Sequence, residues 1–487
     1  MPQTPIKLPA LLILTALIVA PLLAGSYFGA WRWPAIFLIT AAFFTHFTLP
    51  PKKISLKLTH SLPALTTLIL CSIGYWMWLN SWGHFSRDLE IHGVNIPWII
   101  NSLENQPHPD LPGSPDKSEA WDRLSYLFPC LLLTLTVKSL ILRGDLKLRQ
   151  IATTIFLTGT AVAILGIIQR YTEAESIFWN NSLLQEGRTL FFGTYRSPGI
   201  ATCYLNICLA IGLSHLLALT QSLQQNSNSK PTLPLLTIIG CLIILSGSII
   251  AGSKAGATFA IITVILWTTL NARAIFHLAR DSSKLLPSGS PHERNILLFS
   301  ALTAAILATL SLGNTVTKRW ERSQDEEFRT ITKRQIANDI QLDMIKDEKW
   351  NHYVGYGPGS FYPLFPYYKG KKGDKLNQTW VYAHNDYLQT LVEWGIVGTS
   401  CFALLIGGGG FILSFEQFTK KKRHHKHRIF YYRGILIAMI VCLAHATVDF
   451  PFQIESIAYT FSALLGIAWA TPTLRKKPRR RHSSSSE

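Results

Sequence analysis

Residues 235–267 read LLTIIGCLIILSGSIIAGSKAGATFAIITVILW, and this stretch decides the fold class. Two apolar runs, at about 233–251 and 255–270, are separated only by a short break around GSK. Each run approaches the roughly 20 residues that an α-helix needs to cross a bilayer. Similar runs recur at about 10–29, 34–50, 61–80, 124–142, 151–168, 198–220, 296–313, 396–415, 430–448 and 455–471. The pattern predicts an all-α, polytopic membrane helix bundle of about twelve spans.

The composition excludes most other classes of protein. Of 487 residues, 48% are hydrophobic and only 15% are charged, whereas roughly a quarter are charged in an ordinary soluble domain. This balance excludes disordered, fibrous and disulfide-stapled secreted proteins. All seven cysteines fall in apolar runs, so we predict buried thiols rather than disulfides or a zinc site.

Charge asymmetry predicts how the chain is oriented in the membrane. The net charge is +18, and the basic runs 419–428 and 475–482 come just after apolar stretches. The positive-inside rule places such runs in the cytoplasm. We therefore predict that both termini are cytoplasmic, with 472–487 as a disordered basic tail. The opposite loops, 81–123 and 169–197, carry acids that offset their few cations. Attraction to anionic lipid explains the excess charge better than nucleic acid does.

One predicted outer loop, 314–395, is the region in which chemistry is expected. A loop longer than about 60 residues is largely exempt from the positive-inside rule, so its cations are free to serve a function. Ile336, Ile340 and Met344 are spaced as one apolar stripe of a helix. After a stretch rich in Gly and Pro, Asn385 is a good N-cap for a second helix that runs into the next span.

The glycine-rich sequence GYGPGSF at 355–361 is not a nucleotide-binding loop. It follows a helix rather than a strand, and it lacks the Lys-Ser/Thr ending of a phosphate loop. We predict a tight turn near the membrane, with aromatic side chains that seat in the interface or stack on sugar. These aromatic residues are Phe361, Tyr362, Phe365, Tyr367 and Tyr368.

The pattern divides the chain into four predicted parts. Residues 1–230 hold the first six spans, and residues 231–415 form a second domain that includes the loop 314–395. Residues 416–471 hold the last two spans, and residues 472–487 are the tail.

Four motifs, taken in order, resemble a known family. RQIANDIQLDMIKDEKWNHYVGYGPGSF (334–361) has an arginine ahead of the glycine turn, and VYAHNDYLQTLVEWGIVG (381–398) has His-Asn, then Tyr-Leu and two glycines. SGSIIAGSKAGATFA (246–260) comes before them, and HATVDFPFQIES (445–456) closes the set. In this order they resemble the shared domain of the O-antigen ligase and polysaccharide polymerase superfamily.

The resemblance implies a membrane glycosyltransferase of polysaccharide or lipopolysaccharide biosynthesis in the cell envelope. Such an enzyme takes a glycan from undecaprenyl diphosphate at the periplasmic face of the inner membrane and passes it to an acceptor hydroxyl. No cofactor and no metal are implied. A ligase uses a glycolipid or protein acceptor, whereas a polymerase uses another lipid-linked repeat, and the sequence leaves both open.

Three cations at the predicted outer face are candidates to bind the diphosphate, whose departure needs fixed positive charge. The resemblance assigns a catalytic and diphosphate-binding role to Arg334, which has no acidic residue one turn away in its helix. Arg196, ahead of the sixth span, is a candidate for the second phosphate or for a lipid headgroup. Lys254 stands where the family usually has arginine. It offers a point charge without a bidentate fork, and snorkelling at a helix end is its alternative role.

His384 is the candidate general base, with Asn385 and Tyr387 predicted to support it. A histidine beside cations and a helix N-terminus tends to stay neutral, and it can then take a proton from a hydroxyl. Alternatively, His384 orients the donor or bonds a loop carbonyl.

A polytopic transporter or flippase is the alternative from another class. Transporters usually carry ionisable residues or broken helices near the bilayer midplane, whereas the cations singled out here cluster at the outer edge. That distribution favours the enzyme. A purely structural scaffold is a third possibility, and it predicts that alanine at Arg334 or His384 leaves glycan products unchanged.

Overall fold

The computed structural model describes most of the chain. The described residues are 7–23, 25, 29–48, 58–86, 89–91, 94–96, 99–102, 106–180, 190–225, 232–280, 323–346, 351–369, 380–418 and 426–471.

Thirteen α-helices of nine residues or more make up most of this described part. They are α1 (Leu8–Leu22), α2 (Trp33–Thr48), α3 (Leu58–Leu79), α4 (Lys117–Arg143), α5 (Leu148–Tyr171), α6 (Pro198–Gln225), α7 (Thr232–Ile250), α8 (Lys254–Arg280), α9 (Ser323–Lys346), α10 (Phe361–Lys369), α11 (Asp386–Phe418), α12 (Lys426–His445) and α13 (Glu455–Ala470). Short helical turns lie at Gly29–Arg32, Ile177–Trp179, Asn351–Val354 and Pro451–Gln453.

Two small antiparallel ladders interrupt the helical pattern between α3 and α4. Strand β1 (Gly83–Ser86) pairs with β4 (Ile99–Ser102), and β2 (Leu89–Ile91) pairs with β3 (Val94–Ile96). The segment is short and carries β-branched residues, which favour strands over helix. The sequence predicted only a loop between these two helices.

Eight of the helices, α3–α8, α11 and α12, are long and apolar enough to cross a membrane. Helix α1 is a shorter apolar helix, and α2 and α13 have 16 residues each. Every apolar run predicted within the described residues overlaps one of these helices. The predicted run at 296–313 lies outside the described residues. The helical class with several apolar spans is thus confirmed, and the full set of twelve stays a prediction.

Contacts between loops define two ends of the bundle. At one end, Lys7 Nζ lies 2.8 Å from Asp145 Oδ1 and joins the start of α1 to the turn between α4 and α5. At the other end, the Tyr195 hydroxyl lies 3.1 Å from Ser456 Oγ and joins the loop before α6 to the start of α13. We call this second end the site end; it includes the loops at 190–197, 251–253, 380–385 and 446–454.

The segment between α8 and α11 has a small hydrophobic core of its own. The predicted stripe is confirmed, because Ile340 and Met344 are fully buried there and Ile336 packs against them. Phe361 and Phe365 are buried in the same cluster. These two rings therefore do not reach the membrane interface or a sugar, contrary to the expectation from sequence. Their burial follows from α10, which packs its apolar face on α9.

Helix α11 begins as its sequence predicts. Asn385 Oδ1 accepts hydrogen bonds from the backbone N–H groups of Tyr387 and Leu388, both at 3.2 Å, so Asn385 is the N-cap. The predicted short helix and the following span form one element that is kinked at Gly395, where φ is +58°. A Cβ at Gly395 would lie 2.5 Å from Gly355 N. Glycine is thus needed where α11 and the glycine-rich turn meet backbone to backbone.

Candidate active site

His384 lies at the centre of the site end, immediately before α11. Its backbone has a φ of +53°, a left-handed conformation that side chains other than glycine rarely adopt. Its ring lies edge-on to Trp380 and Phe450, with centroids 5.0 and 4.8 Å away. About 30% of the side chain is exposed. A strained residue that is held between aromatic rings yet remains accessible is typical of a functional position.

Asp449 is the partner of His384. Its Oδ1 lies 3.1 Å from His384 Nδ1 and also accepts the backbone N–H of Phe450 at 3.1 Å. Burial alone would raise the pKa of Asp449, but the hydrogen bond from His384 and the nearby His445 hold that pKa well below its usual range. The group is therefore a carboxylate at neutral pH. Since a carboxylate only accepts, Nδ1 of His384 must donate, and Nε2 is left with its lone pair.

Asp449 was not singled out from the sequence, although its motif was. The sequence predicts cations and a helix N-terminus beside His384, and the structure adds this carboxylate to them. One signal was present, since Asp449 is an acid in the short connection between two apolar runs, inside the closing motif 445–456. Its pairing with a histidine 65 positions earlier has no local signature.

The start of α6 lies directly against Asp449 and brings Arg196 to the site end. A Cβ at Gly199 would lie 2.5 Å from Asp449 Oδ2, so only glycine allows this approach. Arg196 stands three residues earlier and is half-buried. The structure thus places Arg196 in the loop that contacts the partner of His384.

Lys254 is the first residue of α8, and that helix packs on the same elements. A Cβ at Gly256 would collide with the Thr202 side chain of α6. One turn further along α8, the Phe259 ring lies 5.0 Å from the ring of buried His445. Lys254 is half-buried at this end of α8, so Lys254 and Arg196 belong to one end of the bundle.

Arg170 is a further cation near these loops, and no sequence motif marks it. Its Nη2 donates to Phe191 O at 2.8 Å and reaches Ala251 O at 3.5 Å. These carbonyls belong to the loops that precede Arg196 and Lys254. We interpret Arg170 as a residue that ties the two loops together.

Arg334 lies on α9, which packs beside the His384 loop. Ala337, one turn after Arg334, belongs to the buried cluster that also contains Ala383, the neighbour of His384. Arg334 itself is half-buried. Within the described residues, no hydrogen bond or ion pair engages its side chain. The structure therefore puts the helix that carries Arg334 next to the site and shows no structural partner for its guanidinium there.

A hydrogen-bonded relay holds the backbone on the N-terminal side of His384. The N–H of Ala383 donates to Gln389 Oε1 at 3.1 Å, and Gln389 Nε2 donates to Glu393 Oε1 at 3.0 Å. Glu393 also accepts backbone N–H groups of Gly359 and Phe361. The glycine-rich turn therefore wraps a buried carboxylate of α11 and links the loop core to the His384 backbone.

A second set of bonds fixes the backbone on the other side of His384. Asp386 N donates to Ala446 O at 3.0 Å. The Asp386 carboxylate accepts Phe452 N at 2.8 Å and Gln453 Nε2 at 3.1 Å. Residue 386 is thus tied to the same connection that carries Asp449. Tyr387, the other predicted supporting residue, donates its hydroxyl to Leu443 O at 2.9 Å and braces α11 against α12.

The described residues contain no group of three or more His, Cys, Asp or Glu side chains that could hold a metal ion. The site end instead combines a His–Asp pair with Arg196, Lys254 and the helix of Arg334. An arrangement of this kind can take up a proton and can stabilise a negative charge next to it.

The comparison with known families agrees with this geometry. Residues 235–403 match the family model described as O-antigen ligase, Wzy_C. The match includes Lys254, Arg334 and His384 and ends before Asp449. It confirms the resemblance seen in the sequence: this part of the chain is similar to the O-antigen ligase family. A search of curated proteins found no match.

Proposed function

We propose that the protein is a membrane glycosyltransferase that transfers a glycan from undecaprenyl diphosphate to an acceptor hydroxyl, as an O-antigen ligase does. The observation that carries the proposal is the His384–Asp449 pair, 3.1 Å apart and beside Arg196 and Lys254, in a chain with an O-antigen ligase domain. The family match and the apolar helices together support the function of a membrane glycan ligase or polymerase. The donor, the acceptor and the residue roles are our proposal.

In the proposed reaction, His384 acts as the general base. Its Nε2 takes the proton of the acceptor hydroxyl while the hydroxyl oxygen attacks the anomeric carbon of the donor glycan. The bond between that carbon and the diphosphate oxygen breaks, and its electron pair leaves with the diphosphate. Asp449 stabilises the imidazolium that forms, because a carboxylate 3.1 Å from Nδ1 favours the charged ring.

The cations of the site end would bind the leaving group. Arg196 and Arg334 offer planar forks for phosphate oxygens, whereas Lys254 offers a compact point charge. The three residues lie on three elements, the loop before α6, the start of α8, and α9. This division fits a diphosphate, which has two phosphates to engage. No metal ion or cofactor enters the proposed reaction.

We also propose the membrane topology that the charge pattern predicts. The chain would cross the inner membrane about twelve times, with both termini in the cytoplasm and the site end in the periplasm. The Lys7–Asp145 contact supports this assignment, because it puts Lys7, just before α1, and the basic turn after α4 at the end opposite His384.

The test is transfer by purified protein in a lipid bilayer, given an undecaprenyl-diphosphate-linked glycan and candidate acceptors and read by mass spectrometry. His384→Ala should lower the rate by about 10²–10⁴-fold, the usual contribution of a general base. Arg334→Ala should abolish transfer. Both variants should still insert into the membrane. Normal product from either variant would contradict its proposed role.

The glycans of cells that lack the protein distinguish a polymerase from a ligase. Loss of long chains with single repeats remaining indicates a polymerase, whereas intact chains stranded on undecaprenyl diphosphate indicate a ligase. Movement of the lipid-linked glycan across a vesicle membrane, without a new glycosidic bond, would instead support the transporter alternative.

A further inference from the structure

A cavity of about 340 Å³ lies between α4, α11, α12 and α13, away from the cations of the site end. On α4 its lining residues include Arg123, Leu127 and Leu131, which recur every four positions, together with Tyr126, Cys130 and Thr134, each three positions further along. Such a stripe faces one direction along a helix. From Arg123 to Thr134 the stripe rises about 16 Å at 1.5 Å per residue. The cavity is therefore elongated along the helix axes.

The other two long walls have the same form. Phe402, Ala403 and Ile406 line the cavity from α11, and Phe461 and Leu465 line it from α13. Beyond the first turns of α11, these walls are apolar or small except for the hydroxyls of Thr399 and Ser462. They belong to α11, which has the composition of a membrane span, and to α13, which packs against it. Most of the lining surface is apolar, and this favours an apolar occupant.

One end of the cavity is polar and lies next to the site end. Asp386 and Gln453 line it there, and both are already hydrogen-bonded to each other. Arg123 lines the same end, with its guanidinium 5.0 Å from the centre of the Tyr382 ring. In the part of the chain that the structure describes, Nε of Arg123 has no hydrogen-bond partner. The carboxylates of Glu119 and of Glu393, which also lines the cavity, interact electrostatically with its guanidinium. Arg123 therefore brings one unsatisfied donor to this end of the cavity.

We propose that this cavity binds one long hydrocarbon chain of a membrane lipid, with an oxygen-bearing head group against Arg123. The shape accommodates a single linear chain, the walls select hydrocarbon, and the guanidinium selects a hydrogen-bond acceptor at the polar end. The polar end lies at Asp386, two residues from His384, so the head group of such a lipid is at the level of the site.

Two lipids could supply the chain, and the proposal covers what they share. One is the polyisoprenyl chain of the donor, an assignment that rests on the proposed function. The other is a fatty acyl chain, from a bilayer lipid or from a lipid acceptor. The lipid site itself requires no glycosyl transfer, so its test does not depend on turnover.

The test is photocrosslinking of the intact protein in lipid nanodiscs. One arm uses a diazirine-labelled polyisoprenyl phosphate, and the other uses phosphatidylglycerol with a diazirine on one acyl chain. Crosslinked residues are identified by mass spectrometry. We expect label on cavity residues such as Leu131 and Phe461 in at least one arm, and the arm that labels them identifies the source.

Two tryptophan variants of neighbouring residues form the matched pair. Ala403 lines the cavity, whereas Leu404 is 53% exposed on the outer surface of the same helix. Ala403→Trp should reduce cavity labelling by about tenfold or more because the indole fills the space. Leu404→Trp should leave that labelling unchanged. If Ala403→Trp fails to fold, the smaller change Ala403→Leu replaces it in the test. Ala403→Leu should reduce cavity labelling partially.

Arg123→Gln tests the head-group contact, and it should weaken cavity labelling severalfold because a guanidinium binds acceptor oxygens more strongly than an amide. Label confined to outer residues such as Phe411 in both arms, or equal in wild type and both Ala403 variants, would overturn the proposal. Cavity labelling in a protein that transfers no glycan would refute the proposed function and leave the lipid site standing.

Discussion

At the scale of single residues, the imidazole of His384 depends on Asp449 for its tautomer. The carboxylate accepts from Nδ1 and thereby leaves a lone pair on Nε2 of the neutral ring, whose side chain is about 30% exposed. In the proposed transfer, the same carboxylate would stabilise the imidazolium that forms when Nε2 takes up a proton.

Asp449→Asn should slow glycan transfer by about tenfold to a hundredfold, because a hydrogen bond to a charged group contributes roughly 1.5–3 kcal/mol. The donor KM should change little, because Asp449 is hydrogen-bonded to the imidazole and is not itself proposed to bind the diphosphate. The measurement is kcat and KM for purified protein in nanodiscs.

Asp110→Asn is the control for Asp449→Asn, because Asp110 is an exposed acid in the loop before α4. Its kcat and KM should equal those of the wild type. An Asp449→Asn enzyme with a raised donor KM and an unchanged kcat would show that Asp449 acts on substrate binding rather than on the imidazole.

The sequence predicted some residues of the site and missed others for a physical reason. The cap at Asn385 depends on groups two and three positions away, so it was visible in the sequence. The arginine on α9 was found through a motif. Asp449 and Arg123 act through partners that are distant in sequence, and only the packing of α4, α11 and α12 brings these groups together.

At the scale of elements, α11 organises the site through one face of its first three turns. Gln389 and Glu393 are one turn apart. They connect the backbone of Ala383, which precedes the strained residue His384, to the glycine-rich turn. The sequence predicted this turn but not what it encloses. A ring of backbone N–H groups around a buried carboxylate has no signature in residue type alone.

A side-chain exchange tests this relay. Gln389→Glu keeps an acceptor for Ala383 N but removes the donor to Glu393 and sets two carboxylates against each other. We expect kcat to fall and the donor KM to change little, because the cations proposed to bind the donor are on other elements. The reaction is followed by steady-state kinetics over a range of donor concentrations.

The double variant Gln389→Glu/Glu393→Gln should recover most of the lost kcat. The introduced carboxylate at position 389 would accept from both Ala383 N and the new amide at position 393, so the relay is restored with its two partners exchanged. Glu393→Gln alone is the matched single variant. An additive loss in the double variant would mean that the two side chains act separately and that no relay positions His384.

At the scale of the whole molecule, Arg32 lies in the helical turn before α2 and connects that part of the bundle to α4 and α13. Its Nε lies 3.0 Å from Glu455 Oε1 on α13, and its Nη1 lies 3.0 Å from Asp122 Oδ1 on α4. Arg32 and Glu455 are each less than 10% exposed. The apolar runs predict these helices, but no periodicity predicts which of them become neighbours.

Arg32→Ala should destabilise the protein by about 3–5 kcal/mol, because it leaves the buried Glu455 without its counter-charge. Arg32→Met/Glu455→Gln removes both charges and should be less destabilising than the single variant. Thermal unfolding in one detergent compares the two. Equal losses of stability would show that packing around Arg32, rather than its charge, connects this turn to α4 and α13.

The orientation of the molecule in the membrane decides whether the site end lies on the same side as the proposed glycan donor. The loop that contains Asp110 precedes α4 on the side of Arg123 and Tyr382, whereas Lys147 lies in the turn beside Asp145 at the opposite end. Asp110 and Lys147 are both exposed. Six of the seven native cysteines are buried, so an introduced cysteine at either position is a specific target for an impermeant maleimide.

In right-side-out spheroplasts, Asp110→Cys should react at once, and Lys147→Cys should react only after the membrane is permeabilised. This result follows from the positive-inside rule, because the turn at 143–149 holds Arg143, Lys147 and Arg149 and the loop around Asp110 does not. The opposite pattern would put His384 in the cytoplasm. A periplasmic glycan donor would then be out of its reach, although the hydrocarbon cavity, which lies within the bundle, would be unaffected.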